Sequence, residues 1–217
     1  MNQQTEDLRK QTLDLVLAGA GAPAANAQSQ VTALIETWLA SLEEEDLAGI
    51  TPESLASVLW QGFSGVTASA PTSCRVSALR YIGGRNVAAT ALLIVNPDMP
   101  FLVDSIVMAM RRQRIASRAV LNAVLSVRRG PDGGISHVER ATTGKDPLES
   151  YVLCLLSEEL AASDLAALIE SVRMVAGDAA AVHRDVATIV EKISMVAKGA
   201  QAVLADGAEV AAFLEWA

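Results

Sequence analysis

VAATALLIVNPDMPFLVDSIVMAM, residues 87–110, is the stretch whose reading decides the fold. Val87 to Val95 is an almost unbroken apolar run, too short to span a bilayer, and reads as a central strand covered on both faces. Asn96, Pro97 and Asp98 stop it, because proline carries no N–H for a ladder and restricts the residue before it. A helix start is read at Asp98, Met99 and Pro100, with Asp98 as the capping side chain and Pro100 in the first turn. Leu102, Val103, Ile106, Val107 and Met110 then recur at helical spacing up to about Gln113. A strand that hands over to a helix at a proline turn needs a sheet to pair in and a sheet face for the helix to cover.

The flanking sequence supplies that sheet. Upstream, Cys74–Ile82 is rich in β-formers and is joined to the central strand by Gly83, Gly84, Arg85 and Asn86, the grammar of a hairpin. Downstream, Ala119–Arg128 and Ile135–Arg140 flank a turn at Gly130–Gly134; a polar loop over 141–148 leads to a last strand, Tyr151–Leu156. Before the sheet, the spacing predicts three helices. The first is loosely patterned over 5–18 and is followed by a small-residue linker, Gly19–Gln28. The second, Ser29–Leu42, puts Val31, Leu34, Ile35, Trp38, Leu39 and Leu42 on one stripe. The third starts at Thr51, Pro52 and Glu53 and carries Leu55, Val58, Leu59 and Phe63.

The last third holds the most regular pattern. Leu165, Leu168, Val172, Val175, Ala179, Val182, Val186, Ile189, Ile193, Val196, Ala200 and Val203 alternate steps of three and four, a heptad seam. One long helix over 163–205 is expected; Gly177, costing roughly 1 kcal/mol against alanine, leaves a two-helix reading open. Within the seam, Val182, Val186, Ile189, Ile193 and Val196 are candidate interface residues. Asp206 and Gly207 end the run before a short helix carrying Val210, Phe213, Leu214 and Trp216.

The predicted class is α+β: an N-terminal helical region over 1–70, an antiparallel α+β sheet domain over 71–178, and the continuation of the long helix over 179–217. With 217 residues, 51% hydrophobic but only 4% aromatic, the core is aliphatic and needs no disulfide or metal to hold it. A net charge of −8 repels phosphate backbones and disfavours nucleic acid as a partner. The one basic cluster, Arg111, Arg112, Arg114 and Arg118, suits the solvated end of a helix. Cys74 and Cys154 have no metal or disulfide spacing and are read as small hydrophobes. Leu13–Leu17 and the following small residues imitate a secretory leader, but Glu6, Asp7 and Asp14 break its charge pattern, so a cytoplasmic, non-membrane protein is expected.

Chemistry is sparse. His137 falls in a hairpin and His183 lies off the seam; neither has a triad partner in view, and the pattern shows no metal-ligand spacing and no glycine-rich phosphate turn. Met99, Met108, Met110, Met174 and Met195 read as core filler. The turn after the central strand is the exception, since free N–H groups at a helix start can hold a small carboxylate. Asp98, Met99, Phe101, Leu102, Asp104 and Ser105 are the candidate ligand-binding residues.

Three stretches carry a family resemblance. Val95–Ser105, reading VNPDMPFLVDS, is similar to the "ND-D-MPFLVDSV" signature of the large bacterial NAD-specific glutamate dehydrogenases. Glu149-Ser150-Tyr151-Val152 resembles their "ESW" strand, and Glu209–Trp216, EVAAFLEW, resembles "EAAAFLRWL". The resemblance covers roughly Val87 to the end and implies an N-terminal ACT-like segment, a βαββαβ relative whose members commonly bind amino acids and pair side by side. It also implies that the NAD cofactor and glutamate sites lie in downstream domains of the same polypeptide. The chain itself is then a non-catalytic regulatory or assembly module with no cofactor or metal of its own. A free-standing amino-acid sensor and a coiled-coil dimerisation scaffold are the alternatives. Two departures stand out. Phe101 occupies the place after the proline where ACT ligand loops have glycine, and the closing strand of the βαββαβ order is not evident, leaving a place for it beyond Ala217.

Overall fold

The computed structural model describes residues 3–19, 25–66, 74–131, 134–140, 147–203 and 206–216. Four helices come first: α1 (Gln3–Gly19), α2 (Ala25–Ala40), α3 (Glu44–Leu47) and α4 (Pro52–Val66). β1 (Arg75–Ile82), a single 3₁₀ turn at Gly84–Asn86, β2 (Ala88–Pro97), α5 (Leu102–Arg112), β3 (Ser117–Arg129), β4 (Ile135–Arg140) and β5 (Leu148–Leu156) follow, and α6 (Ala162–Val203) and α7 (Gly207–Trp216) close the chain. The chain divides into two compact units, Met1–Gly177 and Asp178–Ala217.

In the first unit the five strands form one antiparallel sheet in the order β1-β2-β5-β3-β4. The covered strand of the sequence reading is β2, buried from Ala89 to Asn96, and β5 beside it is buried from Glu149 to Leu156. Alternation sorts their side chains. Ala91, Leu93, Val95, Leu121, Ala123, Leu125, Tyr151, Leu153 and Leu155 face the helical bundle and share one core with Leu34, Trp38, Leu55, Leu59 and Phe63. Leu92, Ile94, Val152, Cys154 and Leu156, of opposite parity, are also fully buried. That second face needs a cover, and the buried stripe Leu102, Ile106, Ala109 and Met110 of α5 with Leu168 and Val172 of α6 supplies it; Gln113 Nε2, at the C-cap of α5, donates to the Ala167 carbonyl of α6 at 3.3 Å. The α+β expectation is met, with helices on both faces of the sheet.

The bundle is seated by specific contacts. Trp38, fully buried, donates its indole N–H to the Tyr151 carbonyl at 2.8 Å. A Cβ on Gly62 would lie 3.0 Å from the Trp38 ring, and one on Gly65 2.8 Å from Leu93, so both glycines let α4 approach its neighbours closely. Arg118 donates to the Asp46 carbonyl at 3.1 Å and to the Ala48 carbonyl, which ties the start of β3 to the α3–α4 connection.

Several boundaries differ from the sequence reading. β1 pairs antiparallel with β2 at the edge of the sheet, so the strand beside β2 comes from its N-terminal side. The linker ending at Gln28 is shorter than read, because α2 begins at Ala25; residues 20–24, most of the polar loop (141–146) and part of the Gly130–Gly134 turn lie outside the described residues. A fourth helix, α3, was not foreseen. It arises from the acidic run, where the Glu43 N–H donates to the Asp46 carboxylate at 2.9 Å and carboxylates favour a first turn. Met99 and Met110 are core residues as expected, but Met108, Met174 and Met195 are exposed at 53%, 60% and 60%.

The second unit comprises the rest of α6 and α7. The helix is continuous through Gly177, the one-helix reading. α7 lies against the end of α6: Ala197, Gly207 and Ala211 are buried, and a Cβ on Gly207 would sit 2.1 Å from the Ala200 carbonyl oxygen.

Candidate functional site

The turn between β2 and α5 is built from the sheet outward. Asn96, 4% exposed, donates its side-chain amide to the Pro97 carbonyl at 2.7 Å. The Asp98 N–H donates to the Leu148 carbonyl at 2.9 Å, which prolongs the β2–β5 ladder by one bond beyond Pro97. The Asp98 carboxylate accepts the Ser150 hydroxyl at 2.6 Å. Asp98 is therefore a bracket between the turn and β5 and not the helix cap that the sequence suggested, because α5 starts at Leu102, four residues further on.

Phe101 occupies the N-cap position. Its backbone is left-handed (φ 63°, ψ 7°), its side chain makes no capping hydrogen bond, and the ring is 73% exposed. Its carbonyl accepts the Ser105 N–H at 2.9 Å. The position where the ACT pattern has glycine thus has the backbone conformation that glycine adopts freely and a bulky side chain does not. Of the candidate ligand-binding residues, Met99 and Leu102 are buried at 9% and 2% and serve packing, Asp104 is exposed, and Ser105 is half-buried. The structure joins Asp98 to Ser150, which the sequence reading did not assign a role although it quoted the Glu149–Val152 stretch.

Immediately beside this turn lies a buried polar cluster. Glu149, paired with Pro97 in the β2–β5 register, accepts two hydrogen bonds from Arg129, from Nε at 2.9 Å and Nη2 at 2.6 Å, both side chains being 8% exposed. The Tyr151 hydroxyl also donates to Glu149. Burial and the Glu149 charge push the Tyr151 phenol well above its ordinary range, and the Glu149 carboxylate holds the Arg129 guanidinium in its charged form. Burial likewise pushes the Cys74 thiol up to about 11 and the Cys154 thiol up to about 12. These are groups held in one protonation state, suited to structure.

No group of three or more potential metal ligands occurs among the described residues. A cavity of about 290 Å³ is lined by Thr5, Leu8, Glu44, Leu47, Ala48, Gly49 and Ile50 in the helical bundle and shares no residue with the turn. His137 and His183 are exposed. No helix among the described residues is long and apolar enough to cross a membrane. In the second unit, Val182, Val186, Ile189 and Val196 are exposed at 58%, 46%, 46% and 59%, whereas Ile193 is half-buried.

Comparison with known proteins gives these features a family. The model of the glutamate dehydrogenase ACT1 domain matches residues 34–172, which takes in the C-terminal part of α2, α3, α4, all five strands, α5 and the sheet-covering start of α6. An NAD-specific glutamate dehydrogenase of Pseudomonas aeruginosa is 32% identical over 98 residues, 44% of this chain but 6% of that relative's length. The resemblance carried by VNPDMPFLVDS and the observed sheet therefore converge: this chain belongs to the glutamate dehydrogenase ACT1 domain family.

Proposed function

We propose that the chain is the non-catalytic N-terminal regulatory and assembly module of a cytoplasmic NAD-dependent glutamate dehydrogenase. The parent polypeptide would convert L-glutamate, NAD and water to 2-oxoglutarate, ammonia and NADH, with the cofactor and substrate bound by domains downstream of this one. The family match over residues 34–172 carries the reading, and its small share of the relative's length, 6%, supports a module within a much longer enzyme. Its partners would be those downstream domains and other copies of the same subunit. A helical region over 1–70, a sheet domain over 71–178 and a helical continuation over 179–217 would divide the work, the sheet providing a rigid platform and the last segment a surface for contacts.

Two experiments test this. The isolated chain is expected to form no NADH from glutamate and NAD, and turnover by it overturns the reading. In the parent enzyme, deleting the segment is expected to change quaternary mass or effector response while leaving the rate at saturating glutamate and NAD; loss of that rate with mass and effector response unchanged also overturns it.

A second reading, an amino-acid sensor, draws support from one observation. The first turn of α5 has no side-chain cap at Phe101, and backbone N–H groups at such a helix start suit a small carboxylate. A free-standing sensor requires that an amino acid stabilise the isolated chain, and a flat response removes this second reading.

A further inference from the structure

The heptad seam of α6 has a partner at its C-terminal end: α7 lies against Ala197 and Ala200, and Ile193 is half-buried. From Val182 to Ile189 it has none among the described residues of its own unit, and Val182, Val186 and Ile189 stay 58%, 46% and 46% exposed. Val190, 57% exposed, widens that stripe. We propose that this stripe pairs antiparallel with the same stripe of a second copy of the chain, about a two-fold axis between residues 187 and 188.

Two features select a second copy in this orientation. Seam residues of an antiparallel pair stack in layers that join the two alternating heptad positions, and a single centre places Val182 against Ile193 of the other copy and Val186 against Ile189. That same centre brings Asp185, on the flank of the seam that α7 leaves free, opposite Lys192 of the other copy, and by symmetry Lys192 opposite Asp185. The two-fold thus yields two opposite-charge pairs from one sequence. Asp185 pairs with its exposed neighbour Arg184 at 3.6 Å. Steps of three and four match a helix running alongside, which is the surface a second α6 presents.

The contact deepens the assembly reading and takes its biological meaning from it. A monomeric chain would remove the contact and leave the parent-enzyme deletion experiment to be decided separately. The test is the mass of the full 217-residue chain by sedimentation equilibrium over a concentration series, with circular dichroism confirming that helicity is kept. A reversible monomer–dimer equilibrium is expected. Ile189→Asp should abolish it; Asp185→Lys and Lys192→Asp should each weaken it by about tenfold; and the double exchange should restore it to within about threefold of the parent chain. A chain monomeric throughout, whose stripe must then be met by another segment or partner, overturns the proposal. So does a dimer indifferent to Ile189→Asp, or a double exchange that fails to restore association.

Discussion

Glu149→Ala removes the carboxylate that three donors share. Arg129 contributes two bonds, at 2.9 and 2.6 Å, the Tyr151 hydroxyl a third, and both charged side chains are 8% exposed, so water cannot replace the lost acceptor without opening the sheet. Breaking a buried pair by deleting one partner costs about 3–5 kcal/mol, most of it the burden of the charge left behind. Glu149→Gln keeps the shape and one acceptor oxygen and should cost less, about 1.5–3 kcal/mol, the range for a hydrogen bond to a charged group. The double variant Arg129→Met with Glu149→Leu removes both charges at once and should cost no more than the roughly 1–3 kcal/mol of leaving the buried Tyr151 hydroxyl unpaired. Urea unfolding at neutral pH followed by circular dichroism reads all three through their midpoints, with the slope checked for constancy. A loss below about 1 kcal/mol for Glu149→Ala, or a double variant as unstable as the sum of the two single ones, would refute the view that burial and mutual pairing govern this cluster.

Phe101→Gly should stabilise the chain by about 1 kcal/mol in the same urea assay, because glycine relieves the left-handed backbone at φ 63° while the ring, 73% exposed, gives up little buried area; destabilisation would mean the ring is an anchor. Stability should fall as pH rises above about 9. Cys154, whose thiol is raised to about 12 by burial, keeps its proton in the folded state while the unfolded chain releases it, so the group favours folding fully below the unfolded value and progressively less above it. Cys154→Ala should flatten that alkaline slope by up to about 1.4 kcal/mol per pH unit, and an unchanged slope would assign it elsewhere.

Much of the first unit was legible because its signals are local and periodic. The apolar run Val87–Val95 could be satisfied only by burial on two faces, and the fold seats it between β1 and β5. The stripe through Val31, Leu34, Ile35, Trp38, Leu39 and Leu42 is buried as its spacing requires. What escaped were features set by pairs distant in sequence. Asp98 looked like a cap because a carboxylate next to a helix start usually is one; Ser150, over fifty residues away, claims it instead at 2.6 Å. The Arg129–Glu149 pair left no spacing signal, since its members meet only when β3 lies beside β5. Nor could a periodic seam reveal that one helix would serve two compact units, with a stretch of exposed residues between its two buried ends.

Whether the module assembles or senses is decided most directly by its melting temperature against a panel of amino acids up to millimolar concentrations. Any ligand that binds only the folded chain must raise that temperature, by about 2.7 kcal/mol of added stability at a hundred times its dissociation constant. With Phe101 where close backbone approach would need glycine, and Asp98 committed to Ser150, a flat panel is the expected result. A saturable rise with one amino acid, lost on Asp98→Ala, would contradict the reading of this turn as purely structural and make it an amino-acid site.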